Sequence, residues 1–437
     1  MRLLLIAVIA CAAIVACGCD DDNSPSPTQS PRPFPSATAS PRSEPTTTPT
    51  LGIGEPEFSA ERALEHTRVL SQDIGSRPAG SEEELAAAEY IRDELASYGY
   101  EATLQPFPVA FYQGDVTEIR VTYAGGVMTF EGQPLTGSPS GSANASVVDA
   151  GLGGDGDFPG NTAGNIALIE RGEITFTQKA LNAEAAGAVA AIIYNNEPGP
   201  FAAQMAPASS IPVVAVTRED GEALLDLMAA DAVTASLDVS TELVEAESRN
   251  VVASPPGEEC RIVVGGHYDT VAAGPGANDN GSGTGVVIEL ARVLAADGDA
   301  EPVCFALFGA EEAGLVGSIF YVGNLGAAEY DALQAMLNFD MLGVGEGWPL
   351  LGTTAMVDLA GEVAEGLGIP YRISSPEGFG GSDHAPFIDA GIPAILFNCF
   401  CDPNYHTAAD RFEFLLRERI EQAGALGTGL LEALISA

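Results

Sequence analysis

Imidazoles and carboxylates recur in this sequence just after short apolar runs. His267 follows RIVVGG, Glu311 and Glu312 follow VCFALFGA, and Asp340 follows MLNF. His406 comes a short loop after AILFN, and Asp279 stands twelve residues beyond His267 in GPGANDNGSGTG. The whole chain holds only four histidines, His66, His267, His384 and His406. A random scatter of so few would rarely set two of them at strand ends. Taken singly, each residue reads as a surface carboxylate or a histidine bonded within a turn. Taken together, they are an imidazole and carboxylate set of the kind zinc accepts.

Something has to bring these groups together. From residue 249 the pattern alternates strand and helix: NVVAS, CRIVVGGHYD, the helix SGTGVVIELARVLAADG, then PVCFALFGAEE, AMLNFDML and IPAILFN. Near-continuous apolar strands belong to a sheet buried on both faces. In such sheets ligands gather at the carboxyl ends of the strands, where these donors stand. Upstream, the spacing predicts a helix over 57–71 and a Gly/Pro turn, IGSRPAG. A second helix follows, opened by Ser81 and Glu84 as a capping box and stopped by Gly99. From about 105 to 245 charge thins and short β-branched runs dominate. There the stretch 164–196 predicts strand Ile166–Glu170, helix Phe176–Ala186 and strand Ala188–Tyr194. The expected fold is α/β, a mixed, mostly parallel sheet flanked by helices, with an inserted β-rich unit.

The motifs GGHYDT, GANDNGSGTG, FGAEEAGLVGS, NFDMLG, GSDHAPF and YHTAAD resemble those of the M28 family of di-zinc aminopeptidases. The opening GSRPAGS and AAEYIRDELASYGY are similar to the family's first helices, so the resemblance covers roughly 57–104 and 246–437. It implies a zinc-exopeptidase-like sheet holding two Zn2+ per chain. Carried over residue by residue, it implies His267 and Asp340 on one zinc, Glu312 and His406 on the other, and Asp279 bridging. A bridging carboxylate offsets the repulsion between neighbouring dications. It implies a cis peptide from Asp279 to Asn280, where many relatives carry a second Asp. Glu311 is the implied general acid/base, and Tyr405 the implied hydroxyl for the oxyanion. Tyr405 as a plain packing residue stays open. Asp269 is expected to accept the other N–H of His267, and Asp410 to do the same for His406. His384 stays outside the ligand set, near the substrate pocket or in a structural hydrogen bond. His66 reads as a surface or packing residue. Gly381 stands where the family often has Arg, which leaves the preference of the pocket open.

The stretch 164–196 resembles the protease-associated (PA) domain, a non-catalytic insert or lid. Its Arg171-Gly172 loop and its AGA-to-strand junction fit that better than an ordinary βαβ unit. At the N-terminus, Ile14-Val15-Ala16-Cys17 resembles the bacterial lipobox, which implies lipid on Cys17 after an apolar run too short to span a bilayer comfortably. Residues 21–50 hold twenty Pro, Ser or Thr and cannot bury a core. The expected layout is a signal peptide over 1–16, a lipid-anchored linker over 17–54, and a peptidase domain over 55–104 and 246–437. The PA insert fills 105–245. The resemblance implies an exported lipoprotein facing the cell surface or periplasm.

Acids number 61 and bases 18, a formal charge of −43, and Lys179 is the only lysine. That balance excludes nucleic acid as a partner, because its binding requires cations that displace counterions. The same balance argues against an anionic membrane surface as a direct partner, and the acids read as a solvated surface. Four cysteines fall in the globular part. Cys260 lies seven residues before His267 and Cys304 seven before Glu311, so neighbouring parallel strands would set them at one height, bridged or as buried thiols. Cys399 and Cys401 form either a tight ring or two free thiols.

The expected function is hydrolysis of the N-terminal bond of peptides. Alternatives on the same fold are a carboxypeptidase or dipeptidase, a glutaminyl-cyclase-like acyltransferase, and a binding protein that has lost its ligands. Every ligand position is filled here. Carboxypeptidase relatives grip acidic substrates with basic residues, and no arginine flanks these metal motifs in an obvious pair.

Overall fold

The computed structural model describes residues 57–436, apart from 173, 197–200, 202–204, 206–208, 298–302, 375–380 and 400–401. Cys17, the linker and Cys401 therefore lie outside the described residues. The strands are β1 (Glu101–Gly114), β2 (Thr117–Tyr123), β3 (Gly126–Pro134), β4 (Gly141–Asp149), β5 (Ile166–Glu170), β6 (Ala190–Tyr194), β7 (Val213–Val216) and β8 (Thr234–Val239). They continue with β9 (Thr241–Ser254), β10 (Ile262–His267), β11 (Val303–Phe308), β12 (Ala335–Phe339), β13 (Trp348–Gly352), β14 (Tyr371–Ile373) and β15 (Ala394–Phe397).

An eight-stranded sheet runs in the order β1-β9-β11-β10-β12-β15-β13-β14. Its middle strands β11, β10, β12 and β15 are parallel, and β9 and β13 run against them. Every residue of those four middle strands is buried, as their unbroken apolar runs require. Alternation divides the side chains between two cores. Ile262 and Val264 point into the larger core, with the helices Ala60–Arg68, Glu82–Ser97, Gly283–Asp297 and Arg417–Ile435. Val263 points the other way, against Tyr321 of the helix Val316–Gly323 and Phe387 of the helix Ala385–Asp389. The mixed, mostly parallel sheet flanked by helices is thus the one expected.

The remaining strands close a barrel in the order β2-β3-β7-β6-β5-β4-β8. It joins the sheet through a ribbon in which β1 pairs with β9 from Glu101↔Ser254 to Gly114↔Thr241. The expected domain limits at 105 and 245 fall inside this ribbon, whose pairing runs on past the change in composition. The predicted strand–helix–strand of the insert is found as β5, the helix Phe176–Ala185 and β6.

Cys260 and Cys304 are bridged. They do not stand at one height, however. The register pairs His267 with Phe308 rather than with Glu311, so Cys304 lies opposite Val263 and Cys260 sits before the strand begins. Cys399 is a free, buried thiol. His66 is fully buried, its Nδ1 lying 2.6 Å from the Tyr90 hydroxyl, so it packs rather than faces solvent.

The capping residue Glu84 differs from its expected role. Ser81 Oγ accepts from Glu84 N as a cap should, but the Glu84 carboxylate turns inward. It accepts from Gly80 N at 2.7 Å and from Ser248 Oγ at 2.5 Å, and it is fully buried. Burial, with Asp269 nearby, outweighs those bonds and raises the carboxyl to about 8. The unfolded chain ionises it near the ordinary carboxylate value, so between these limits the native state holds a proton that the unfolded state releases. Stability from this group is therefore complete below about pH 4.5 and is lost as pH rises toward 8, by ~1.4 kcal/mol per pH unit at most. Glu84→Gln, which cannot ionise, should show a flatter dependence of urea midpoint on pH between about 5 and 8. Parallel curves for variant and wild type would show that Glu84 does not titrate in this range.

Candidate metal centre

The sheet register delivers the donors. Gly265 of β10 pairs with Asn338 of β12, so His267 and Asp340 lie the same two steps beyond a paired position. His267 pairs with Phe308, so Glu311 and Glu312 follow just past the end of β11. A Cβ on Gly266 would collide with the Phe339 carbonyl oxygen, so glycine is what lets the two donor-bearing strand ends come this close. Strain collects here as well. Of the four non-glycine residues with positive φ among the described residues, Ala310 (53°) precedes Glu311, Met341 (55°) follows Asp340, and the third is His406 itself (59°). Each such residue costs about 1–3 kcal/mol, which the surrounding packing has to hold in place.

The five expected donors converge. His267 Nε2 is 3.2 Å from Asp279 Oδ1 and 3.3 Å from Asp340 Oδ1. His406 Nε2 is 3.2 Å from Asp279 Oδ2 and 3.0 Å from Glu312 Oε2. They make two triads, His267–Asp279–Asp340 and Asp279–Glu312–His406, and the donor atoms of each lie within 4.8 Å of one another. Asp279 belongs to both. Glu311 forms a further group with His267 and Glu312, so its carboxylate reaches toward both triads. The peptide from Asp279 to Asn280 is cis, as the resemblance implied.

The residues fit a divalent cation. Glu312 Oε1 is buried without a hydrogen-bond donor, an expensive condition for a carboxylate oxygen unless a cation compensates. The titration behaviour points the same way. Burial alone would lower the His267 imidazole, but Glu311 and Asp340 outweigh it and carry it well above its usual range. Burial is likewise overcome at His406, where Glu312 and Asp279 raise the imidazole to about 10. Burial also lifts the Glu311 carboxyl well above normal, helped by Glu312, Asp383 and Asp340 and opposed by His267. Negative charge is in surplus, and protons settle where cations would sit.

Two carboxylates expected to orient the histidines instead hold main chain. His267 Nδ1 lies 3.2 Å from the Asp269 carbonyl oxygen and 3.6 Å from its carboxylate. A carbonyl only accepts, so it places the proton on Nδ1 and leaves Nε2 as the donor atom. The Asp269 carboxylate accepts from Glu311 N at 3.0 Å and Glu312 N at 3.2 Å. Asp410 works in parallel, accepting from Asn278 N at 2.7 Å and Asp279 N at 3.0 Å. Each buried acid thus fixes a loop that carries a candidate donor.

Two sets of supporting contacts escaped the sequence reading. Ser382 Oγ donates to Asp340 Oδ2 at 2.8 Å and in turn accepts from Asn338 Nδ2. The Asn280 amide donates to the Phe339 carbonyl and accepts from Gly283 N. An ionised Asp at 280 could not make the first of these bonds. His384 is buried, and burial lowers its imidazole to about 4. Tyr405 is half-buried, its ring stacked on His406 with centroids 3.7 Å apart. The guanidinium carbon of Arg171, from the end of β5 in the barrel, stands 5.8 Å from the Tyr405 ring centre.

Known proteins are similar to this chain over most of its length. The profile of peptidase family M28 matches residues 250–428 and that of the PA domain residues 136–224. The chain is 36% identical over 402 residues to aminopeptidase YwaD of Bacillus subtilis, covering 85% of this chain and 84% of that protein. It is 34% identical over 376 residues to an aminopeptidase of Pseudomonas aeruginosa, covering 74% and 67%. Among solved structures, BSAP, a zinc aminopeptidase from Bacillus subtilis, superposes with a TM-score of 0.70 at 32% identity, over 87% of this chain and 96% of that one. An aminopeptidase from Aneurinibacillus sp. strain AM-1 gives 0.68 at 33% identity, over 86% and 94%. The chain belongs to peptidase family M28 and carries a PA domain between the second helix of the peptidase fold and the strands that hold its candidate metal-binding side chains.

Proposed function

We propose that this protein is a zinc-dependent aminopeptidase that hydrolyses the N-terminal bond of peptides with two Zn2+ per chain. The observation that carries the reading is the pair of donor triads sharing Asp279, with Glu311 beside both. His267 and Asp340 would hold one zinc, Glu312 and His406 the other, and Asp279 both. Bound there, zinc supplies Lewis acidity and lowers the pKa of water.

The chain's own residues do the rest. Glu311 takes the proton of the attacking water and delivers it to the leaving amine nitrogen. Asp269, through the Glu311 and Glu312 main-chain N–H groups, fixes where that carboxylate points. Burial and the carboxylates of Asp279, Glu312 and Glu311 keep the Tyr405 phenol protonated, so its hydroxyl donates to the carbonyl oxygen as negative charge develops there. The surplus of carboxylates favours a substrate whose reacting end carries an α-ammonium. That supports an aminopeptidase over a carboxypeptidase.

Cys17 is read as the lipidated residue that tethers the exported chain to a membrane through its Pro/Ser/Thr linker. The Cys260–Cys304 disulfide supports an oxidising compartment outside the cytoplasm. No helix of the described residues is long and apolar enough to cross a membrane.

A panel of aminoacyl-anilides and short peptides tests the activity. Free-amine substrates should be cleaved at least about 10²-fold faster than N-acetylated ones, whereas blocking the carboxyl end as an amide should matter little. Equal cleavage of N-blocked substrates, or a requirement for a free carboxylate, would replace this reading with the carboxypeptidase one.

A further inference from the structure

We propose that Arg171, supplied by the inserted barrel, is a positioning residue for Tyr405, so that the PA domain completes the active site rather than merely standing beside it. This rests on the aminopeptidase reading above.

Arg171 directly follows β5 and is fixed from the barrel side before it meets the peptidase site. Its N–H donates to the Tyr194 carbonyl at 2.9 Å, which ties its main chain to the end of β6. Its Nη1 donates to Asn195 Oδ1 at 3.1 Å. Its guanidinium carbon lies 5.1 Å from the Phe201 ring centre and 5.8 Å from that of Tyr405. Gly172 follows with φ 126°, a conformation that side chains other than hydrogen resist, so the turn that presents Arg171 depends on it. Among the described residues, no other cation–ring contact joins the barrel to the peptidase sheet.

The partner ring is held as well. Tyr405 stacks on His406 at an interplanar angle of 26°, so a shift of the phenol would disturb a candidate metal donor. A planar guanidinium near the ring adds attraction to the aromatic face and restricts the ring's freedom. The charge pattern gives the contact a second consequence. Arg171 brings a positive charge to 5.8 Å from the centre of the phenol ring. That charge polarises the phenol, so its hydroxyl donates more strongly to a carbonyl oxygen as negative charge develops there. Both effects act in the transition state, so they belong to kcat.

The test uses the full chain loaded with zinc and an aminoacyl-anilide. Arg171→Met keeps bulk and removes charge, Arg171→Lys keeps the cation, and Tyr405→Phe removes the hydroxyl. Arg171→Met should lower kcat about tenfold with KM nearly unchanged, and Arg171→Lys should recover most of the loss. Adding Arg171→Met to Tyr405→Phe should cost little more than Tyr405→Phe alone, since both act through one hydroxyl. Zinc content and urea midpoint should stay at wild-type values in the Arg171 variants.

Multiplicative losses in the double variant would overturn the proposal. So would a change confined to KM, which would mean that the guanidinium touches substrate. A fall in urea midpoint matching the loss of activity would reduce Arg171 to a packing residue. An active wild type indifferent to Arg171→Met sinks this inference alone. A wild type that cleaves no free-amine substrate sinks the aminopeptidase reading beneath it.

Discussion

Glu311→Gln should lower kcat by about 10²–10⁴-fold while zinc content stays at the wild-type level. Gln keeps the size and reach of Glu but cannot carry a proton from water to the leaving nitrogen. The substitution leaves the scaffold alone, because Glu311 is held through its main-chain N–H on Asp269, which Gln retains. It also leaves the metal donors alone. Glu311 stands within reach of His267 and Glu312 but belongs to neither of the triads that share Asp279. KM should move little, since the lost interaction is made in the transition state. Zinc titration alongside steady-state kinetics checks both halves. Zinc loss would make Glu311 a ligand, and surviving turnover would assign the proton transfer elsewhere.

Much of this site is legible in the sequence because buried parallel strands are written as apolar runs and the donors stand where those runs stop. The residues after RIVVGG, VCFALFGA and MLNF lie together because β10, β11 and β12 are neighbours. What the runs do not encode is register. Counting back from His267 and Glu311 sets Cys260 and Cys304 level, whereas the actual pairing of His267 with Phe308 offsets them. Nearness along the chain misleads in another way. Asp269 and Asp410 are two and four residues from a histidine, yet their carboxylates bind main-chain N–H groups of other loops. For His267 the main-chain carbonyl of Asp269 is the closer acceptor. The contacts of Ser382 and Asn280 leave no trace in the sequence pattern, since their partners come from other strands and loops. Arg171 is the sharpest case. A search for basic residues beside the metal motifs misses it, because the inserted barrel carries it there through space.

Asp279→Ala should empty both metal positions, whereas Asp340→Ala or Glu312→Ala should empty mainly one. The reasoning is coordination arithmetic. Each triad offers three protein donors, the usual number for a zinc site that keeps a place open for water. Losing Asp340 leaves the His406 triad whole, and losing Glu312 leaves the His267 triad whole. Losing Asp279 cuts both to two donors at once. Zinc per chain, measured after gel filtration, should therefore fall from about two to about one in the single-triad variants and well below one in Asp279→Ala. Stability should follow occupancy. A ligand held at 1,000 times its Kd contributes about 4 kcal/mol, so chelation should lower the urea midpoint of the wild type clearly and that of Asp279→Ala hardly at all. If Asp279→Ala kept about one zinc and its sensitivity to chelator, the two positions would not depend on a common carboxylate, and a two-zinc centre built around Asp279 would have to be abandoned.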